Sequence, residues 1–221
     1  MFLGHFAIAM AAKRVAPAAS LGTLVAAAQL ADLAWPMLLL AGMETAQVAP
    51  GATTVTPLVF EHYPWSHSLA TLALAGVVLG ACHFAWRRRL REALVLALLV
   101  PSHWLLDWLV HVPDLPLTPA EGSLRTGLGL WNSLPATLAI ELGAMAAGAA
   151  IYLRCTGAAD RTGTWATVSL LAFLVLVYAA NVFGAPPPAI QAVAWVGLLQ
   201  WLLVAWAAWA DRHRHVRGSL P

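Results

Sequence analysis

Apolar residues in this chain come in long unbroken runs, without the alternation of a half-buried strand or the one-sided stripe of a surface helix. Runs long enough to cross a bilayer core, about 20 residues each, cover residues 19–41, 66–85, 91–112, 131–153, 164–184 and 188–210. The pattern predicts an all-α polytopic transmembrane bundle of about six spanning helices, organised as a single transmembrane domain over 1–221. The opening "MFLGHFAIAMAA" is apolar but too short to span, and Lys13 and Arg14 follow it, the reverse of the order in a cleavable signal peptide. It is expected to form a short membrane-associated helix over 2–15 that dips into the membrane or lies along its cytoplasmic face. The Pro-, Gly- and Thr-rich stretch 42–65 and "APPP" at 185–188 read as ordered connectors.

Composition agrees with the pattern: 61% of the 221 residues are hydrophobic and 10% are charged, against about 25% charged in soluble domains. The charges also orient the bundle. Alternating the spans puts Lys13, Arg14, Arg87, Arg88, Arg89, Arg91, Arg154, Arg161, Arg212, Arg214 and Arg217 on one side, eleven of the twelve basic residues, and leaves Arg125 on the other. The positive-inside rule makes the first side cytoplasmic, with both chain ends there and the loops 42–65 and 113–130 facing outward. The net charge of +2 therefore reports topology; no basic stripe suits nucleic acid. Cys82 and Cys155 are too far apart in sequence to suggest a disulfide framework or a thiolate metal site.

Ionisable groups inside spans cost several kcal/mol at the bilayer centre, so each needs a reason. In "SHWLLDWLVH" His103, Asp107 and His111 recur every fourth residue and share one helix face. By helical rise, His103 and Asp107 lie about 18 and 24 Å from Arg91, and Asp32 lies about 20 Å into its own span. Glu141 and Asn181 fall in the same outer half. His67 opens the second span and comes near Asp107 if its loop sinks below the surface, whereas His5 rises only about 12 Å above Lys13. Pro36 and Pro101 each free a carbonyl and are expected to bend their helices beside these groups. The cytoplasmic halves, apart from an interfacial His83, read as bland, which leaves a polar cavity opening outward.

Imidazole with carboxylate is the donor set of zinc and related divalent ions. His103 and Asp107, joined by Asp32, His67 and His5, form a candidate site for one ion or two neighbouring ions. A single buried His or Asp has a plainer reading, as a pair that holds helices together, and His62 and His111 read as solvated residues of the outer rim. Glu141 is a candidate base or an interhelical hydrogen-bond partner, Asp107 a candidate catalytic carboxylate, and Asn181 a supporting or substrate-contacting group.

The order "GHF", "QLADLAW", "HYPWSHS" and "SHWLLD" resembles the bacterial inner-membrane proteins described as LexA-binding, inner-membrane-associated metal-dependent hydrolases. That family shows an early His, an LPDxD segment, an HRGxTHS segment and an SHxxxD segment. The resemblance covers about residues 1–115, and His5, Asp32, His62, His67, Ser68, His103 and Asp107 match the pattern. Ala34 stands where the second Asp of LPDxD would be, and Tyr63-Pro64 replace the Arg-Gly. The resemblance implies a metal-dependent hydrolase of the bacterial inner membrane. "HVPDLPL" and "GLGLWNSLPATLAIE", with Trp131 and Asn132, look like features of a subgroup. The order of His and Asp residues is more distantly similar to the helical zinc phospholipase C and nuclease fold, an analogy only.

These readings converge on a hydrolase with zinc, one or two ions, in the outer membrane half, with membrane lipids as surroundings and a lipid or small amphiphilic phosphoester as substrate. Two other classes compete. An ion- or proton-coupled transporter would need a polar path through both halves, often with an inverted repeat, and the sequence shows neither. A non-catalytic scaffold with a vestigial metal site would suit the absent Asp at position 34.

Overall fold

The structure is a computed structural model describing residues 1–217. Its helices in chain order are α1 Phe2–Ala12, α2 Leu21–Ala28, α3 Leu30–Leu40, the single turn α4 Pro64–His67, α5 Leu69–Arg87, α6 Leu90–Val110, α7 Leu134–Cys155, α8 Arg161–Phe183, α9 Ile190–Gly197 and α10 Gln200–Arg212. Among the described residues α5, α6, α7, α8 and the α9–α10 pair, five in all, are long and apolar enough to cross a membrane, and α2 with α3 makes a sixth if that bent pair is one span. The protein is thus a multi-pass membrane protein with a short apolar helix at its start.

Side-chain caps define several helix starts. Ser20 accepts from Thr23 N at 3.1 Å, Ser68 from Thr71 N at 3.2 Å and Asp160 from Gly163 N at 2.8 Å, each taking one of the amides that a helix leaves unpaired. Between spans the described residues make three antiparallel ribbons. The first pairs β1 (Thr45–Val48) with β2 (Leu58–His62) in the register Gln47↔Val59 and Val48↔Leu58. The second, β3 (Leu115–Pro116) with β4 (Arg125–Thr126), ties down the connector after α6. At the opposite end β5 (Thr156–Ala158) pairs with β6 (Arg214–Val216), closing α7 against the chain beyond α10.

Three expectations are corrected here. Of the two placements expected for α1, the one along the surface is corrected: Leu3, Ala9 and Met10 are 0% exposed, and the helix dips inside the bundle against α2, α6 and α7. A helix apolar on every side buries every side. The first span bends not at Pro36 but at Gln29, by 56° between α2 and α3. Pro36 stays inside α3 because neighbours absorb what it disrupts. Gln200 Nε2 donates to the freed Asp32 carbonyl at 3.4 Å, and Gly197 leaves room for the proline ring, where a Cβ would come within 2.6 Å of Pro36 Cγ. Finally, the basic end is not bland. Lys13 Nζ donates to Asp211 Oδ2 at 2.6 Å and to the Ala19 carbonyl at 2.8 Å, and Tyr152 OH donates to Asp211 Oδ1 at 2.9 Å.

Glycines set how closely the helices approach. A Cβ at Gly148 of α7 would lie 2.4 Å from the Ala7 carbonyl oxygen and 2.6 Å from Ala7 Cα, so α1 rests on bare backbone there. At Gly76 of α5 a Cβ would lie 2.4 Å from the Ala97 carbonyl, the acceptor that Pro101 frees in α6. Replacing Gly148 by Leu is expected to push α1 out of the bundle, at a cost of about 1–3 kcal/mol as in other overpacked cores. A fall in the thermal midpoint of the detergent-solubilised protein would register it; a midpoint equal to wild type would refute the close approach.

Candidate metal centre

Five side chains from four helices meet inside the bundle. His103 and Asp107, one turn apart on α6, face His5 of α1, Asp32 of α3 and His67 of α4. Asp107 is the hub. Its Oδ1 receives the Met1 amino nitrogen and His5 Nε2, the latter at 3.0 Å. Its Oδ2 lies 3.1 Å from His103 Nε2, 3.8 Å from His67 Nε2 and 3.9 Å from His111 Nε2. Asp32 Oδ1 completes the group, 3.5 Å from His67 Nε2 and 3.8 Å from His103 Nε2. His5 and His103 are fully buried, while the Asp32 side chain is 26% exposed and marks the open flank.

Local folding explains why these atoms point inward. The break at Gln29 ends α2 at Ala28, whose carbonyl is one of the acceptors that a helix C-terminus leaves free. His103 Nδ1 takes it at 2.8 Å. A carbonyl can only accept, so Nδ1 carries a proton and Nε2 is the nitrogen turned toward Asp107 and Asp32. That Nε2 is buried and makes no hydrogen bond to the described residues. His67 reaches the cluster because α4 is a single turn packed against α3 and β3, with its Nδ1 held by Ser66 Oγ at 2.7 Å.

His111, expected at a solvated rim, is 3% exposed. It caps α6, donates from Nδ1 to Asp114 Oδ1 at 2.9 Å and packs on Trp131, with ring centroids 4.2 Å apart. Tyr63 OH donates to the same Asp114 oxygen at 2.9 Å. Burial, with the Asp114 charge beside it, holds the Tyr63 phenol far above its ordinary range and so keeps it a donor. The aromatic and ribbon residues bury what the sequence pattern leaves at the surface.

The other residues singled out in the sequence lie elsewhere or act otherwise. Glu141 accepts the amide of Phe2 at 3.0 Å through one oxygen and that of Gly4 at 3.1 Å through the other, so it anchors the first turn of α1. Ser68 caps α5, His62 is exposed on β2, Asn132 is exposed in a 3-10 turn, and Asn181 is exposed near the end of α8. Sequence reasoning missed Glu44, which is 1% exposed and accepts Ser66 Oγ at 2.6 Å. No motif marks it; an acidic residue in a connector looks solvated.

The donor set fits a divalent ion. Asp32, His67 and His103 offer ligand atoms that all lie within 4.8 Å of one another, as do His5, His103 and Asp107. The nitrogen–oxygen separations among His67, His103, Asp32 and Asp107 run from 3.1 to 3.8 Å. Two ligands on a tetrahedral ion with bonds of about 2.0–2.1 Å sit about 3.3 Å apart, inside that range. His5 addresses a different point. Its ring lies parallel to that of His103, 8° between planes and 3.7 Å between centroids, and an ion must lie near the plane of every imidazole that binds it. One ion cannot lie in both planes, so His5 serves Asp107 Oδ1 or a second ion.

No protein-family model, no characterised protein and no solved structure matches this chain. What is established is therefore the class: a polytopic membrane protein with a buried His/Asp cluster that could hold a metal.

We expect about one divalent ion per purified chain, lost on treatment with a strong chelator and absent from His103→Ala and Asp107→Asn. His5→Ala is expected to weaken binding but keep the stoichiometry. Two ions in wild type with one remaining in His5→Ala would make His5 a ligand instead.

Proposed function

We propose that the protein is a membrane-embedded metal-dependent hydrolase acting on a lipid or small amphiphilic phosphoester. The observation that carries this reading is the buried, unbonded His103 Nε2 set 3.1 Å from a carboxylate oxygen. With Nδ1 donating to a carbonyl, Nε2 meets the carboxylate either as the N–H of an imidazolium or as a lone pair with a cation between the two, and the second is the arrangement of a metal ligand. In this reading His67, His103 and Asp107 would hold the ion, zinc by the chemistry of the donor set. The ion, when bound, supplies a water acidified toward neutral pH and polarises the scissile group.

The remaining work falls to residues of the chain. Asp32, partly exposed and unclaimed by backbone amides, accepts the proton of the attacking water. Glu141 fixes α1, and through it His5 and the hub carboxylate. A groove of about 270 Å³ opens at the ribbon end, lined by His62, Tyr63, Thr118, Glu121, Ser123 and Arg125 and by none of the five cluster residues, so it is a surface feature beside the α4 turn. The basic end, with eleven of the twelve Lys and Arg, faces the cytoplasm by the positive-inside rule, which puts the groove on the outer face of a bacterial inner membrane. The family resemblance of "HYPWSHS" and "SHWLLD" points the same way.

The test is turnover by the metal-loaded protein in bilayers, offered phospholipids, isoprenoid phosphates and soluble phosphoesters. Product release should depend on metal and fall by about 10²–10⁴-fold in Asp32→Asn, the range for loss of a general base. Absence of cleavage, with solute or ion movement that requires His103 and Asp107, would replace hydrolysis by transport.

A further inference from the structure

The Glu44 carboxylate accepts three hydrogen bonds in a buried loop: Trp65 N and Ser66 N reach Oε1, each at 2.8 Å, and Ser66 Oγ reaches Oε2 at 2.6 Å. Ser66 Oγ also lies 2.7 Å from His67 Nδ1. A hydroxyl has one proton, and a carboxylate can only accept. The Ser66 proton therefore points at Glu44, and its oxygen must accept from His67 Nδ1. An imidazole proton is thereby fixed on Nδ1, and Nε2, the nitrogen free to act as a ligand, faces Asp32 Oδ1 at 3.5 Å and Asp107 Oδ2 at 3.8 Å.

We propose that Glu44 is a positioning residue that, through Ser66, sets the proton on His67 and so presents Nε2 to the metal centre. The relay runs from a connector outside the spans to a buried ligand, with all three side chains at most 3% exposed. It rests on the metal reading for its purpose but not for its chemistry, since the proton position exists without any ion. Holding the far nitrogen of a ligand histidine in this way fixes both ring orientation and basicity.

The two oxygens of Glu44 have separable tasks, which makes the proposal testable. In Glu44→Gln the amide oxygen can still accept the Trp65 and Ser66 amides, so the turn keeps its cap. The amide nitrogen then occupies the Oε2 position and donates to Ser66, which must donate to His67 Nδ1 in turn. The imidazole proton moves to Nε2 and blocks the ligand nitrogen. The experiment is ¹⁵N NMR of the histidine side chains in metal-free full-length protein, assigned by the signals lost in His67→Ala, beside titration with Co²⁺. Wild type should show His67 protonated on Nδ1, Glu44→Gln on Nε2, with Co²⁺ affinity lower by about 10–100-fold. Ser66→Ala should lower affinity similarly and Ser66→Thr should restore it, which keeps the test alive if Glu44→Gln does not fold. His67 remaining on Nδ1 in Glu44→Gln, or wild-type affinity in both Glu44→Gln and Ser66→Ala, overturns the relay. A tautomer switch in a protein that binds no Co²⁺ upholds the relay and removes the metal reading instead.

Discussion

A carboxylate buried in an apolar bundle is the constraint around which this structure is arranged. Asp107 is 2% exposed, and an isolated charge in such a place costs several kcal/mol. The chain answers with the Met1 amino group at Oδ1 and with a ring of imidazoles. His103 and His111 approach along the same face of α6, His5 arrives on α1, and His67 arrives on a turn folded in from the ribbon end. Each arrival has its own local cause: bare backbone at Gly148 admits α1, Glu141 anchors its first turn, and the break at Gln29 supplies the carbonyl that orients His103. Remove the central charge and none of these devices has an evident purpose.

The opposite end shows what a buried polar cluster looks like when it is purely structural. Lys13, Asp211, Tyr152 and the Leu21 amide form a closed set, in which both Asp211 oxygens and the Lys13 ammonium have good partners. It ties the C-terminal end of α1 to α2, α7 and α10. At the His/Asp cluster, His103 Nε2 and His5 Nδ1 are buried without hydrogen bonds to the described residues. A buried polar atom without a partner needs an explanation, and for His103 Nε2 the explanation proposed is a bound ion.

Much of this was legible in the sequence. Long apolar runs give the spans, because a bilayer demands length and hydrophobicity above all else. Polar residues within such runs stand out, so Asp32, His67, His103 and Asp107 could be singled out and the structure brings them together. Other features depend on neighbours that a linear pattern does not reveal. Pro36 does not break α3, because Gln200 and Gly197 accommodate it. Glu44 and His111 are buried by the ribbons and by Trp131, elements whose local sequence reads as exposed connector. Glu141 stands out in its helix, but its partners, backbone amides of α1, are invisible as residue types.

Central to the proposed chemistry is an ion held by two imidazoles and a carboxylate between α4 and α6. X-ray absorption at the zinc edge of the reconstituted, zinc-loaded protein tests it most directly. The expected spectrum has two imidazole nitrogens at about 2.0–2.1 Å with oxygen neighbours completing the shell, and one imidazole fewer in His103→Ala. A shell of oxygen alone, unchanged by His103→Ala, would contradict it.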